Sequence, residues 1–372
     1  MAKQPKVTRQ RARKDLTLMT VRQLTWLRFK RNRLAVYAGI MLIVFYLVAA
    51  FAGFLSPYHV MTIHSKYPGV PANGFHIRDQ TGQWRWPFVY GYQAHTDPIT
   101  YRRVVERTGE TYPLRLFTKG DPYKLLGLFD TDIHLFGVDD PGKVFLLGTD
   151  DLGKDLFTRI LYGAQISLSV GLVGVALSLV IGCVVGLAAG YYGGWFDDIS
   201  MRVVEVLMSF PQIPLWMALA SALPPGLSSV KTYFGITVVL SLVNWGSLAR
   251  QMRAKVLSMR DTDFVVAARI VNCSDVRIIL RHLLPSSMSH VIVVATLAIP
   301  GMILGETALS YLGLGIRPPM TSWGLLLSQA QETRVLLQKP WLLWPIAPVM
   351  ITALGFNLVG DAIRDAVDPF SV

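Results

Sequence analysis

The chain has 372 residues, 52% of them hydrophobic and only 16% charged, with a mean hydropathy of +0.41. A soluble domain carries roughly 25% charged residues, so long stretches here hold nothing that water would retain, which excludes a soluble enzyme and a disordered hub. The net charge is +12, but residues 1–33 alone hold eleven Lys and Arg against one acid, Asp15. That arm reads as a topology anchor on anionic lipid and not as a nucleic-acid binder.

In chain order, residues 34–55 run without a charge and predict a first span, a retained anchor long enough to cross about 30 Å of hydrocarbon. Residues 56–160 then hold a segment rich in Pro, Gly, Trp and Tyr, where the alternation in Trp84-Arg85-Trp86-Pro87-Phe88-Val89-Tyr90 predicts strands. We expect a small folded elaboration whose aromatic residues Trp84, Trp86, Tyr90 and Tyr92 fill their own core or meet a partner. From Ile160 to Phe196 no residue is charged, and a second span is predicted over Ser167–Ala189. Four more follow, near Val203–Leu223, Tyr233–Leu248, Ser289–Leu309 and Trp341–Gly360, which makes six. The fold class is therefore an all-α integral membrane protein, with a core at 161–372.

Orientation follows from the basic loops. Residues 250–285 carry seven Lys and Arg against three Asp, whereas 56–165 hold twelve of each sign. Six spans with both termini and the 250–285 loop inside, and the long neutral segment outside, satisfy this pattern.

Catalytic and metal motifs do not emerge. HExxH, GxSxG, paired aspartates and a Walker A sequence are missing from the sequence. The two cysteines, Cys183 and Cys273, make neither a metal motif nor a disulfide pattern. Glu205, His290 and Glu306 fall near predicted span ends, where a carboxyl or imidazole reaches water or caps a helix. Gly182, Gly186 and Gly190 recur at i, i+4, i+8 and predict a close helix–helix contact. Between Asp263 and Leu280 the apolar positions Phe264, Ala267, Ala268 and Val271 predict one amphipathic helix, and Pro285 then interrupts the chain before the fifth span. Too polar to insert, the helix suits either docking to a cytosolic partner or lying on lipid.

This loop resembles the EAA loop of binding-protein-dependent ABC importers. Val266-Ala267-Ala268, Asn272, His282 and Leu284-Pro285 fit the pattern of EAA, three residues, Gly, nine residues, Ile, one residue, Leu-Pro, with Val266 for Glu, Asn272 for Gly and His282 for Ile. Further stretches resemble the C-type permease subunit of the dipeptide and oligopeptide importers. They are Gly148-Thr149-Asp150-Asp151-Leu152-Gly153-Lys154-Asp155, Gly190-Tyr191-Tyr192-Gly193-Gly194-Trp195-Phe196-Asp197, the run from Glu306 to Gly315, Ser322-Trp323-Gly324, and Asn357 through Asp361 with Asp368-Pro369. The resemblance covers 147–370 and leaves 56–146 unmatched.

The resemblance implies a type I importer permease in a bacterial cytoplasmic (inner) membrane. It implies a heterodimer with a second homologous permease, one or two cytosolic ABC ATPase subunits, and an extracytoplasmic solute-binding protein. This chain then binds no cofactor, ATP and Mg belonging to the ATPases. Asp263, Phe264, Val266, Ala267, Ala268 and Asn272 are the expected docking residues, with Leu284 and Pro285 fixing the helix exit. Ala267 and Ala268 are small enough for a partner to approach the backbone. The cargo is expected to be peptides; oligosaccharides, opines and metal chelates belong to the same branch, and a self-contained channel or carrier is the reading outside it.

Overall fold

The computed structural model describes residues 21–78, 82–96, 98, 103–331 and 333–367. Residues 1–20 of the basic arm and Asp368-Pro369 lie outside them. Helix α1 covers Val21–Arg31 and α2 Arg33–Ala50, entered through Asn32, whose side chain accepts from the Ala35 amide at 3.2 Å. A short α3, Ala52–Leu55, extends α2 outward. The segment that follows folds into strands: β1 (His76–Arg78), β2 (Trp84–Thr96) and β3 (Arg103–Pro113) form one antiparallel sheet. A separate antiparallel hairpin comprises β4 (Arg115–Leu125) and β5 (Phe129–Gly137). Strand content among the described residues is confined to this extension.

Helix α4, Leu156–Tyr192, has 37 residues, about 55 Å at 1.5 Å per residue. It starts a full three turns before the predicted Ser167, because Asp155 caps it, accepting from the Thr158 amide at 2.8 Å and the Thr158 hydroxyl at 2.7 Å. The third predicted span is not one helix. It is α5 (Gly194–Ser209) and α6 (Gln212–Ser221), bent by 95°. Pro211 has no amide proton to continue the ladder and forces Phe210 into extended backbone, φ −85°, ψ 142°. Helix α7 is Ser229–Leu257, α8 Asp263–Ile270 and α9 Asp275–Ile278. A π-turn over Ile279–Leu283 runs directly into α10, Leu284–Tyr311. Two short helices, α11 (Trp323–Ser328) and α12 (Thr333–Gln338), and a 3-10 turn at Pro340–Leu343 precede α13, Ile346–Val367. Five of these segments are long and apolar enough to cross a membrane, and the bent α5–α6 pair makes a sixth.

Helix α4 is the post around which the others stand. On one side Gly182, Gly186 and Gly190 let α7 approach until a Cβ at Gly186 would lie 2.5 Å from the Ala249 carbonyl oxygen. On the other, Gly171 faces Ile299 and Ile303 of α10. Leu168, Ile236, Leu240, Met302 and Ile303 fill the space between. The N-terminal end of α4 carries the β extension, through Phe136 against Phe157 at 6.1 Å, and also α11, through Trp323 Nε1 donating to the Ile160 carbonyl at 3.1 Å. Its other end meets α8.

The expected reading of Glu306 as an interfacial residue is corrected. It is fully buried, accepting from Ser167 Oγ at 3.0 Å and Ser310 Oγ at 2.6 Å. Glu205 does lie exposed on α5, paired with Arg202 at 3.1 Å. The aromatic residues of the extension divide. Tyr90 is buried, with the Arg107 guanidinium 4.5 Å from its ring centroid, whereas Trp84 and Trp86 are exposed.

Two predictions follow from this packing. Replacing Gly186 by Leu drives a side chain into the α7 backbone and costs about 1–3 kcal/mol or more, so the variant melts earlier in detergent; Gly301→Ala, which meets nothing within 4 Å, melts with the parent. The second concerns His64, which stands edge-on to Tyr58 at 4.4 Å and Phe145 at 5.1 Å, its Nε2 buried without a partner among the described residues. Burial first, and then the Lys143 ammonium, push its pKa down from 6.5 to about 4. The folded extension therefore refuses a proton that the unfolded chain accepts. Stability from this group is complete above pH 6.5 and is lost as pH falls through about 4. Amide exchange over residues 56–150 should accelerate from pH 7 to pH 4 beyond its intrinsic pH dependence, and His64→Phe should remove that part of the acceleration.

Candidate functional site

At the C-terminal end of α4 the chain builds a short exposed helix on a fixed base. Val265 and Ala268 of α8 are buried against Leu187, Met252, Val256 and Leu283. Phe264, Val266, Ala267, Ile270 and Val271 are exposed. One face is thus spent on the chain's own core and the opposite face is free. Ala268 is turned toward the chain's own core, 7% exposed, which corrects the expectation that both alanines are accessible; Ala267 is the exposed one.

The single amphipathic helix predicted over Asp263–Leu280 is also corrected. It stops after Ile270, and the reason is Asn272 at φ +57°. The Asn272 amide donates to the Arg269 carbonyl at 2.9 Å and the Cys273 amide to Ala268 at 3.0 Å, a complete Schellman termination. The resemblance places Gly at this position. Asn is the side-chain-bearing residue that best tolerates left-handed backbone, so the departure keeps the geometry. Nor does Pro285 interrupt the chain. It sits in the first turn of α10, where its missing amide is harmless, and the preceding π-turn, with the Leu284 amide donating to Ile279, carries the helix through.

Polar contacts fix the base. The Tyr191 hydroxyl donates to Asp275 Oδ1 at 2.7 Å, and the Arg269 guanidinium lies 5.1 Å from the Tyr191 ring centroid. The last turn of α4 is thereby clasped between α8 and α9. Arg253 of α7 makes a two-pronged pair with Asp197 of α5, through Nε to Oδ1 and Nη2 to Oδ2. Sequence reasoning assigned neither Tyr191 nor Asp197 a role, although both lie in the quoted Gly190–Asp197 motif.

Within the membrane region, a cleft of about 410 Å³ opens where α5 breaks into α6, between α4, α7 and α10. Its lining is apolar except for Ser178, Gln212, Asn244 and Ser247. Gln212 Nε2 donates to Asn244 Oδ1 at 2.5 Å, and Asn244 Nδ2 to Met302 Sδ at 3.3 Å. The site presents neutral amides and no charge. Among the described residues no cluster of three or more His, Cys, Asp or Glu is placed to hold a metal.

With this geometry in view, known proteins decide the family. Residues 182–371 match the family described as binding-protein-dependent transport system inner membrane component, and residues 20–68 match the N-terminal TM domain of oligopeptide transport permease C. The chain belongs to the binding-protein-dependent transport permeases. This permease is 40% identical to a dipeptide transport system permease protein of Alkalihalophilus pseudofirmus, over 62% of its own length and 73% of the relative's. A putative peptide transport system permease of Brucella suis is 42% identical over 62% and 75%, and the oligopeptide transport system permease protein of Bacillus subtilis 37% over 62% and 73%. A solved structure of the MetNI methionine ABC transporter, inward facing, aligns over 56% of this chain and 96% of that one, with TM-score 0.43 and 17% identity. The permease is thus a multi-pass membrane subunit of an importer, not itself the ATPase, in a family that works with an ATPase and a binding protein.

Asn272 of the permease supplies a direct check. Asn272→Gly should leave uptake and stability unchanged. Asn272→Val forces a β-branched residue into left-handed backbone, at about 1–2 kcal/mol, and should expose the 258–275 loop to limited proteolysis.

Proposed function

We propose that this permease carries dipeptides or oligopeptides inward across a bacterial cytoplasmic membrane, paired with a second homologous permease and driven by cytosolic ATPases that bind the ATP and Mg. Both termini and α8 then lie on the cytoplasmic side, and the β extension faces the binding protein's side. The observation that carries this reading is the two-faced α8. Three of its exposed residues, Phe264, Val266 and Ile270, and Val271 at its C-cap are apolar, a composition that water alone does not favour and that a partner groove does. Burying each fully is worth about 1.5–3 kcal/mol before the cost of association.

The exposed face of α8 seats in one ATPase. Asp263 places a carboxylate in the helix's first turn, where it is favourable to the helix dipole. Asn272 ends the helix, and Leu284 and Pro285 lead it into α10. When the ATPase pair closes on ATP, the load passes through α8 to α4 and α7, and the two-state permease shifts toward its outward state. Peptide cargo is supported by the named relatives and by the cleft at the α5–α6 break. Neutral amides there can exchange hydrogen bonds with a peptide backbone whatever its side chains.

The test separates docking from folding. Ala267→Trp should accumulate in the membrane at the parent level, lose the ATPase chains in a gentle detergent pull-down and lose uptake of a labelled peptide mixture. Ala268→Trp should instead lower the amount of folded protein. An Ala267→Trp complex that keeps its ATPases and its uptake sinks the docking reading, and uptake of sugars in place of peptides sinks the cargo.

A further inference from the structure

The β4–β5 hairpin descends beside α3 and the end of α2, rung by rung. His134 Nδ1 meets the Ser56 carbonyl oxygen at 2.6 Å. One step lower, Tyr123 lies so close over Gly53 that a Cβ there would be 2.3 Å from its ring. Beyond it, Leu125, Leu126 and Gly127, together with Lys124 and Asp130, share a cleft of about 500 Å³ with Ala50 and Gln165. Ala50 closes the apolar segment of α2 that is long enough to span. Gln165 lies nine residues beyond the start of α4 at Leu156, about 13 Å along it at 1.5 Å per residue. The hairpin tip therefore lies level with the last residue of α2 and about 13 Å along α4.

The chemistry of the strand pair changes at the same level. Lys124 and Asp130 stand opposite each other, Leu125 and Phe129 form the next rung, and the connection is Leu126-Gly127-Leu128. Below the charged rung every side chain is apolar. Leu126 is 52% exposed, Leu128 76% and Phe129 64%. In water such a tip would be unsupported. Here it adjoins α2, whose own exposed residues Ile40, Ile43 and Leu47 form the lipid-facing side of a span.

We propose that residues 125–129 are immersed in the membrane leaflet on the side of the β extension, with Lys124 and Asp130 at the headgroup level. The occupant of this surface is lipid, because the apolar tip continues the lipid face of α2 and its charges stop where the span ends. The hairpin thus clamps the extension to the bilayer. The height of the hairpin above the membrane is then set by lipid contact as well as by the Phe136–Phe157 contact with α4.

Nitroxide labelling tests this in the assembled transporter, reconstituted in nanodiscs of phosphatidylethanolamine and phosphatidylglycerol. In a Cys183→Ala, Cys273→Ser background, Leu128→Cys and Leu126→Cys are labelled, with Leu47→Cys as the lipid reference and Glu106→Cys as the aqueous one. At 126 and 128 we expect collision with oxygen as at Leu47→Cys and loss of the collision with a water-soluble nickel chelate seen at Glu106→Cys. Nickel access at 128 equal to that at 106 overturns the proposal in favour of a tip in water. Exclusion of both reagents overturns it in favour of a protein cover, such as the second permease. Retention of the ATPases in the same preparation is scored separately, so failure of the hairpin proposal and failure of the docking reading are distinguishable.

Discussion

The close approach of α4 and α7 is the constraint from which the rest follows. In a bilayer, apolar side chains gain little by leaving lipid for one another, so helix pairing depends on close van der Waals contact and on polar groups that find partners. The three glycines at 182, 186 and 190 provide the first along the inner half of the pair, where the Trp245, Ala249 and Arg253 carbonyls lie within 3 Å of where a Cβ would stand. The second is provided further out, where Ser178 Oγ donates to the Ser241 carbonyl and Ser241 Oγ lies 3.0 Å from the Gly174 carbonyl. A pair held this tightly gives Val265 and Ala268 of α8 a flat, dry base, with Leu187, Leu248, Met252 and Val256 forming one surface. Loosening α4 from α7 would remove the seat of α8 before it touched α8 itself.

The outer half of the molecule is organised by buried polar groups. Glu306 ties α10 to α4 through Ser167, and Ser167 in turn accepts from the Trp323 amide at the start of α11. Asp150 accepts from the Leu152 and Lys154 amides and from Arg159, in an ion pair nearly closed to solvent. Arg159 also reaches Gln329 at 3.1 Å. Removing one member of such a set strands the others without water, which costs far more than the set contributes over an apolar replacement. These contacts therefore specify one arrangement of α4, α10 and α11 more than they add to stability.

Much of this could be read from the sequence, and the failures have physical causes. Hydropathy picks out the segments long and apolar enough to span because lipid acts on composition over some twenty residues, but it is blind to a single proline, and the break at Pro211 is averaged away. The amphipathic stripe from Asp263 to Leu280 was real, yet periodicity carried it through Asn272, whose left-handed backbone leaves no mark on a hydrophobic pattern. Ala267 and Ala268 are indistinguishable by residue type; only the angular position fixed by Val265 decides which of them faces inward. In β2, Trp84, Trp86, Phe88 and Tyr90 share one face by parity, as alternation requires. Whether that face is covered depends on where His76 of β1 and Arg107 fall, so Phe88 and Tyr90 are buried and the two tryptophans are not.

On the proposed reading of α8 as a coupling element, it has to be stiff at its root and accommodating at its surface, and its construction meets both demands. With eight residues it is too short to be stable as an isolated helix. Its order comes from elsewhere: the Schellman bonds at Asn272 and Cys273, the buried pair Val265 and Ala268, and the clasp of Arg269 and Asp275 on Tyr191. None of these contacts uses Phe264, Val266, Ala267 or Ile270. The exposed face is therefore free of structural duty, which lets Val266 stand where the resemblance has Glu without disturbing the fold. A force applied to that face passes through Tyr191 into α4, a single unbroken helix that ends beneath the β extension. On that reading, the displacement of one short helix at one end of α4 and the position of the sheet at the other are mechanically linked through one continuous element, the kind of contiguous physical connection that a two-state transporter requires.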